Sequence, residues 1–224
     1  NYWFAWKEYT KYILTRRGLL STPTVSTHAF IKTKPELESP DFKLQLCHVT
    51  GTDRFSMAKG LGVDKFPGFS LQVFYLQPKS FGSIHIRSTD YKIHPKIHAN
   101  YLKHEEDQMA AIKGLKILRN LASKSELNKL IKDEVSPGIN VQTNIELLDF
   151  AKKIGQTCWH SVATCKMGEE KSSVVDPKLK IYGLNNIRIA DASVIPHLVS
   201  SNTNAPSIMI GERCAEILKI EYGG

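Results

Sequence analysis

The residues best suited to chemistry lie in one stretch, CWHSVATCKMG from Cys158 to Gly168. Imidazole is the side chain that most readily exchanges a proton near neutral pH, and His160 is the one imidazole in this stretch. Two thiols, Cys158 and Cys165, lie close to it in sequence. His160 could therefore be a packed structural residue, a metal ligand or a catalytic base.

The sequence patterns for a metal site and for a reactive thiol are weaker than the pattern for a catalytic base. A structural zinc site needs four ligands at recognisable spacings, and no CxxC or HxxxH pair lies in the stretch with Cys158, His160 and Cys165. A Cys165 thiolate activated by His160 is a second possibility. In extended chain, however, residues five apart point to opposite faces.

A second polar segment, SSNTNAPSIMIGE, puts Asn202 and Asn204 directly before a predicted helix. Asparagine is a favoured helix N-cap, so the simplest interpretation is capping. The same helix start also suits an anion or an electron-rich cofactor edge, because its first amides are free. Pro206 fits the first turn, where a missing N–H costs nothing.

A dinucleotide phosphate loop is not expected within this sequence. The segment KGLGVDKF supplies Gly60 and Gly62 but has Lys65 where the third glycine of such a loop belongs. It also lacks a preceding strand and a following helix.

The elements that must position these residues begin with strands. KLQLCHVTG, FSLQVFYLQPKS and GSIHIRSTD are rich in Val, Ile, Phe and Tyr between turn residues. Ile84 and Ile86 alternate with polar residues, which predicts an antiparallel sheet with one buried face. A helix that packs on this sheet is predicted from Glu105, with apolar positions at Met109, Ile112, Leu115, Leu118 and Leu121.

Three further elements are predicted around His160. Thr143 and Glu146 have the spacing of a capping box, which starts a helix whose apolar positions are Ile145, Leu148 and Ile154. After His160, NIRIADASVIP is interpreted as a short apolar strand interrupted by Asp191, and APSIMIGERCAEILK as the last helix.

Composition excludes several classes of function. The formal charge of +8 is spread along the chain among acidic residues, so nucleic-acid binding is not expected. No run of about 20 apolar residues predicts a membrane span. Four cysteines without a dense pattern favour reduced thiols. The opening segment does not resemble a signal peptide and is interpreted as the interior of a longer protein, in the cytoplasm or in an organelle lumen or matrix.

Three motifs together carry a specific resemblance. WHSVATCKMG, VVDPKLKIYGLNNIRIADASVIP and SNTNAPSIMIGERCAEILK resemble, in order and spacing, the carboxyl-terminal part of the glucose-methanol-choline (GMC) family of FAD-dependent oxidoreductases, choline dehydrogenase-like. YILTRRGLLSTP, LQPKSFGSIHIRS and HPKIHANYL resemble the substrate-domain segments that precede them, so the likeness covers nearly the whole chain.

The resemblance implies an α+β fold in two parts. Residues 1–157 would form an antiparallel-sheet substrate-binding domain, incomplete at its start, with helices on one side. Residues 158–224 would form the active-site segment and a strand-helix piece of an incomplete FAD (Rossmann-like) domain. An amino-terminal FAD-binding part of the same protein would supply the GxGxxG unit and is the implied partner.

The resemblance also assigns roles to residues. His160 would lie over the flavin and take the hydroxyl proton of an alcohol, and Asn202 would be the second polar group at that point. The implied cofactor contacts are Trp159, Asp191, Ala192, Asn202, Thr203 and Asn204. Ala163 and Ser201 depart from the family pattern, since many members have glycine there, and His197 is interpreted as structural.

The implied function is the FAD-dependent oxidation of a small primary alcohol, choline-like or other, to an aldehyde. Two alternatives remain open. One is a hydroxynitrile lyase on the same fold, which has no net redox change. The other is a non-catalytic fragment that serves as an interaction module.

Overall fold

A computed structural model describes residues 2–23, 25–48, 50–51, 64, 66–124 and 126–223 of the chain. The glycine-rich segment with Gly60, Gly62 and Lys65 lies outside the described residues. The described residues form helices α1 (Tyr2–Thr15), α2 (Glu105–Lys124), α3 (Asn144–Ile154) and α4 (Asn204–Tyr222). The strands are β1 (Val25–Ile31), β2 (Phe42–Cys47), β3 (Ser70–Tyr75), β4 (Ser83–His85) and β5 (Lys96–His98). The predicted α+β class is confirmed.

The main sheet is antiparallel, with β2 between β1 and β3. Side chains alternate across a strand, so Phe42 and Leu44 share one face of β2 and Lys43 lies on the other. Helix α2 covers the first face, and Gly114 allows the close approach. A Cβ at Gly114 would lie 3.0 Å from both methyl groups of Val73 and 3.3 Å from the Phe42 ring.

The strand predictions were partly right. The three predicted segments contain β2, β3 and β4, whereas β1 and β5 were not predicted. The expected buried face of SIHIRS is wrong, because Ile84 is 44% exposed and Ile86 is 88% exposed. Strands β4 and β5 form a separate two-stranded ribbon, which is too small to bury either of its own faces.

Helix α2 begins at the predicted Glu105 and packs on β3. Ile112 and Leu118 are buried as expected, but Met109 is 54% exposed and the apolar stripe is narrower than predicted. Asp107, buried in the first turn, accepts hydrogen bonds from the amides of Lys79 (2.8 Å) and Ser80 (2.7 Å), which fasten the loop after β3 to the helix.

Helix α3 packs on α2 and begins with the predicted capping box. The Glu146 amide donates to Thr143 Oγ1 (3.3 Å), and the Thr143 amide donates to Glu146 Oε2 (2.8 Å). The apolar prediction was wrong in register, since Leu147 is fully buried while Ile145 is 74% exposed and Ile154 is 42% exposed.

The segment after α3 is mostly irregular and has its own core. Val175, Leu179, Val194 and Cys214 pack together there. The predicted strand in NIRIADASVIP is wrong. Arg188 forms only an isolated bridge to Lys180, and Ala192–Val194 form a 3-10 turn. A strand needs a neighbour along its whole length, and in the described part of the chain this segment has one only at Arg188.

Three ion pairs, with Lys178, Lys180 and Arg188, fasten Glu221 at the carboxyl end of α4 to this segment. Glu221 accepts a short charged hydrogen bond from Arg188 (2.5 Å) and one from Lys180 (2.9 Å). These cations hold the pKa of Glu221 below its usual value. Among the described helices, none is long and apolar enough to cross a bilayer.

Candidate active site

His160 lies in the turn that follows α3, and left-handed backbone shapes this turn. Trp159 has φ of 57° and Ala163 has φ of 67°. A left-handed conformation is costly for a residue with a Cβ and free for glycine. Ala163 is one of the positions where the resemblance implied glycine, and its positive φ gives the physical reason for that preference.

Thr203, at the start of α4, holds the imidazole. His160 Nδ1 lies 2.9 Å from Thr203 Oγ1, and the Thr203 amide approaches the same nitrogen at 3.5 Å. Thr203 is buried, and it is the N-cap residue of α4, although its side chain makes no capping bond. The capping interpretation of Asn202 and Asn204 is therefore wrong, because Asn202 precedes the cap and Asn204 is the first helical residue.

The Thr203 contact leaves the far side of the ring for chemistry. A proton on Nδ1 would donate to the threonine hydroxyl at 2.9 Å and leave a lone pair on Nε2. The 3.5 Å bond from the Thr203 amide is donated to Nδ1, so it belongs to the other tautomer, in which Nδ1 accepts and Nε2 carries the proton. Within the part of the chain that the structure describes, no hydrogen bond engages Nε2 of His160. The imidazole is partly buried and oriented, with one nitrogen able to accept a proton.

Asn202 makes a contact that sequence reasoning missed. Its Oδ1 accepts a hydrogen bond of 2.8 Å from Nζ of Lys43, near the start of the central strand β2. The carbonyl side of the amide is thereby engaged, and its NH₂ group stays available as a donor. The only signal in the sequence was a lysine within a strand that has no other charged residue.

The start of α4 presents free amides. Thr203 supplies no side-chain cap, Pro206 has no N–H, and Asn204 is exposed. The positive end of the helix dipole therefore faces outward beside His160 and Asn202. Such an end suits an electron-rich group, so these residues fit the edge of a flavin ring.

The remaining implied contacts are placed as follows. Trp159, next to His160 in the chain, is 62% exposed. Asp191 Oδ1 accepts from the Ser193 amide (2.7 Å) and so caps the 3-10 turn that begins at Ala192. The structure thus brings His160, Thr203 and Asn202 together, and it shows Asp191 in a local capping role.

His197 and the cysteines lie apart from this group. His197 is exposed and lines a cavity of about 400 Å³ together with Phe81 and Ala163. None of the four cysteines forms a disulfide; Cys47 and Cys214 are buried, whereas Cys158 and Cys165 are partly exposed. Over the described ranges, no group of three metal-binding side chains is found.

Comparisons with a family model and with known proteins agree on one family. The family model described as GMC oxidoreductase matches residues 78–211. Alcohol dehydrogenase [acceptor] of Pseudomonas putida is 37% identical over 92% of this chain and 37% of its own length. An oxygen-dependent choline dehydrogenase of Pseudomonas aeruginosa is 29% identical over 93% of this chain and 36% of its own length.

Solved structures agree on the fold. Formate oxidase of Aspergillus oryzae superposes with a TM-score of 0.84 at 23% identity, over 97% of this chain and 42% of the other. An FAD-dependent oxidoreductase of Chaetomium thermophilum superposes with a TM-score of 0.67 at 23% identity, over 82% of this chain and 29% of the other. The chain spans little more than a third of the length of the curated relatives just described.

Proposed function

Because the chain belongs to the GMC oxidoreductase family, we propose that a protein carrying it oxidises a small primary alcohol to an aldehyde with FAD as the oxidant. One observation carries the proposal. An oriented imidazole, His160, is held by Thr203 at the start of α4, directly beside Asn202. An oriented base and an amide donor side by side are what removal of a hydroxyl proton requires.

The two polar residues have distinct tasks. His160 takes the hydroxyl proton of the alcohol on Nε2, while its Nδ1–H stays on Thr203. Asn202 donates from its NH₂ group to the same oxygen and fixes the alcohol against the base. FAD, when bound, supplies the acceptor for the hydride that leaves the alcohol carbon.

Of the residues proposed to hold FAD, three lie at the start of α4 and three in the segment before it. They are Trp159, Asp191, Ala192, Asn202, Thr203 and Asn204. The outward-facing amides at the start of the helix support this assignment, because their positive potential suits the ring edge where negative charge accumulates.

The proposal includes a division of the chain and a partner. Residues 1–157 form the substrate-binding part, which contributes the sheet β1–β3, and residues 158–224 form the active-site part. An amino-terminal FAD-binding part of the same protein completes the cofactor site. The four cysteines are spaced without a dense pattern, which supports a location in the cytoplasm or in an organelle lumen or matrix.

Oxidation is favoured over the lyase alternative by the relatives described above, which are dehydrogenases and oxidases by name. A lyase leaves the flavin oxidised, whereas alcohol oxidation reduces it. We expect that a full-length protein carrying this sequence loses its flavin absorbance near 450 nm when a primary alcohol is added without oxygen. A flavin that stays oxidised with every primary alcohol, while a cyanohydrin is cleaved, would overturn the proposal.

A further inference from the structure

Lys43 is a buried cation in the centre of the main sheet. Its residue is 7% exposed, and its position on β2 puts it on the face opposite α2. Phe30 on β1 and Phe74 on β3 are its cross-strand neighbours. The ammonium lies 5.8 Å from the centre of the Phe30 ring and 5.9 Å from that of Phe74, within the range of cation–π contacts.

The charge of Lys43 is not neutralised by a carboxylate. Across the described ranges of the chain, Lys43 forms no ion pair, and its one hydrogen bond goes to Oδ1 of Asn202. Removing an ammonium group from water is costly unless the charge is paired or used. Two aromatic faces and one amide oxygen offset only part of this cost, so the charge remains available to a ligand at Asn202.

The position of the charge determines what it acts on. Nζ lies 2.8 Å from the amide of Asn202, whose NH₂ group is the proposed donor to the substrate oxygen. The path from Nζ runs to Oδ1 of Asn202, across the amide to its NH₂ group, and through one further hydrogen bond to the substrate oxygen. The substrate oxygen therefore lies within about 8 Å of Nζ. At such distances a charge on the substrate still interacts with Lys43, because Lys43 is buried and the effective dielectric constant near a protein surface is about 20 rather than about 80.

We propose that Lys43 determines specificity, so that the site accepts neutral and anionic alcohols and rejects alcohols carrying a quaternary ammonium group. The inference rests on the proposed function and narrows its substrate class. The charged group of a short amino alcohol lies up to about 3 Å beyond its hydroxyl oxygen, which puts it about 8 to 11 Å from Nζ. At an effective dielectric constant of about 20, a cation at these distances is disfavoured by roughly 10- to 30-fold relative to a neutral molecule of the same shape. An anion is favoured by a similar factor.

The test uses a full-length, FAD-loaded protein and three alcohols of similar size. Choline is the cation, 3,3-dimethylbutan-1-ol is its uncharged counterpart and 4-hydroxybutanoate is the anion. The second-order rate constant of anaerobic flavin reduction is measured for each. We expect the neutral alcohol to exceed choline by at least tenfold in the unmodified protein and in Lys43→Arg, and the ratio to fall toward one in Lys43→Met.

The matched control is Lys32→Met, which removes an exposed positive charge at the end of the same sheet. It should leave the ratio unchanged. Should Lys43→Met not fold, as judged by a thermal melt, Lys43→Gln removes the charge and keeps a donor for Asn202. A ratio near one in the unmodified protein, or a ratio that Lys43→Met and Lys43→Gln do not change, would overturn the inference.

A binding measurement separates this inference from the proposed function. Pivalate and tetramethylammonium have similar size and opposite charge, and neither can be oxidised as an alcohol. Flavin difference spectra should show pivalate binding at least tenfold tighter, with the preference lost in Lys43→Met. If this preference is found and no alcohol reduces the flavin, the proposed function fails while the charge assignment stands. If choline reduces the flavin as fast as the neutral alcohol does, the charge assignment fails and the proposed function stands.

Discussion

At the scale of single residues, the account depends on how Thr203 orients His160. A helix N-cap normally gives its side chain to the first amides of the helix. Thr203 instead places its hydroxyl 2.9 Å from the imidazole Nδ1. The first turn of α4 therefore stays uncapped and the base is aligned, and both effects follow from one side chain.

Thr203→Val removes the hydroxyl and keeps the shape, so it isolates this orienting role. We expect the limiting rate constant of flavin reduction to fall about tenfold, the worth of one neutral hydrogen bond, with little change in the alcohol concentration that half-saturates the rate. Thr203→Ser should restore most of the rate. Equal limiting rate constants in the Val and Ser variants would show that Thr203 only packs.

At this scale, sequence reasoning identified some residues of the site but not the contact that orients the base. His160 and Asn202 could be singled out from their motifs. The hydrogen bond to Thr203 could not, because it joins residues 43 positions apart and competes with the expectation that Asn202 or Asn204 caps α4. Capping propensity describes a helix in isolation, and here a tertiary contact outweighs it.

At the scale of elements, helices α2, α3 and α4 were predicted from the sequence, whereas helix α1 and several strands were not. Helices α2, α3 and α4 are specified by local signals: an acidic first turn, a capping box, and a proline in the first turn. NIRIADASVIP has the composition of a strand but pairs only at Arg188 in the described chain. A strand depends on its neighbours, so composition alone could not decide it.

The capping box of α3 makes the stability of the segment before His160 depend on pH. Amides of Thr143 and Gln142 donate to the Glu146 carboxylate and lower its pKa. The resulting stabilisation is complete above the ordinary glutamate pKa, about 4.3, and is lost as pH falls through the lower folded value. Glu146→Gln should therefore lose less stability than the unmodified protein between pH 7 and pH 3.

Denaturant unfolding at the two pH values measures this difference. Asp149→Asn is the control, because it removes another exposed carboxylate from the same helix. It should follow the unmodified protein. Identical losses in Glu146→Gln and the unmodified protein would mean that the capping carboxylate contributes nothing to the pH dependence.

At the scale of the whole molecule, the site joins distant parts of the chain. The Lys43–Asn202 contact spans 159 positions, which no local pattern could have indicated. Several large apolar side chains are exposed, among them Ile86 at 88% and Tyr91 at 91%. This fits the expectation, drawn from the family, that an amino-terminal FAD-binding part packs against the chain.

The central claim is that this chain supplies the base for alcohol oxidation, and anaerobic stopped-flow reduction of the flavin in a full-length protein tests it. His160→Ala should slow reduction per bound flavin by about 10² to 10⁴, the usual contribution of a positioned base, with FAD still bound. Asn202→Ala should cost no more than about 10² to 10³. Ser161 is exposed and follows His160 in the chain, so flavin reduction in the control variant Ser161→Ala should proceed at the normal rate. An unchanged reduction rate in His160→Ala, accompanied only by a lower melting temperature, would contradict the account and leave His160 a structural residue.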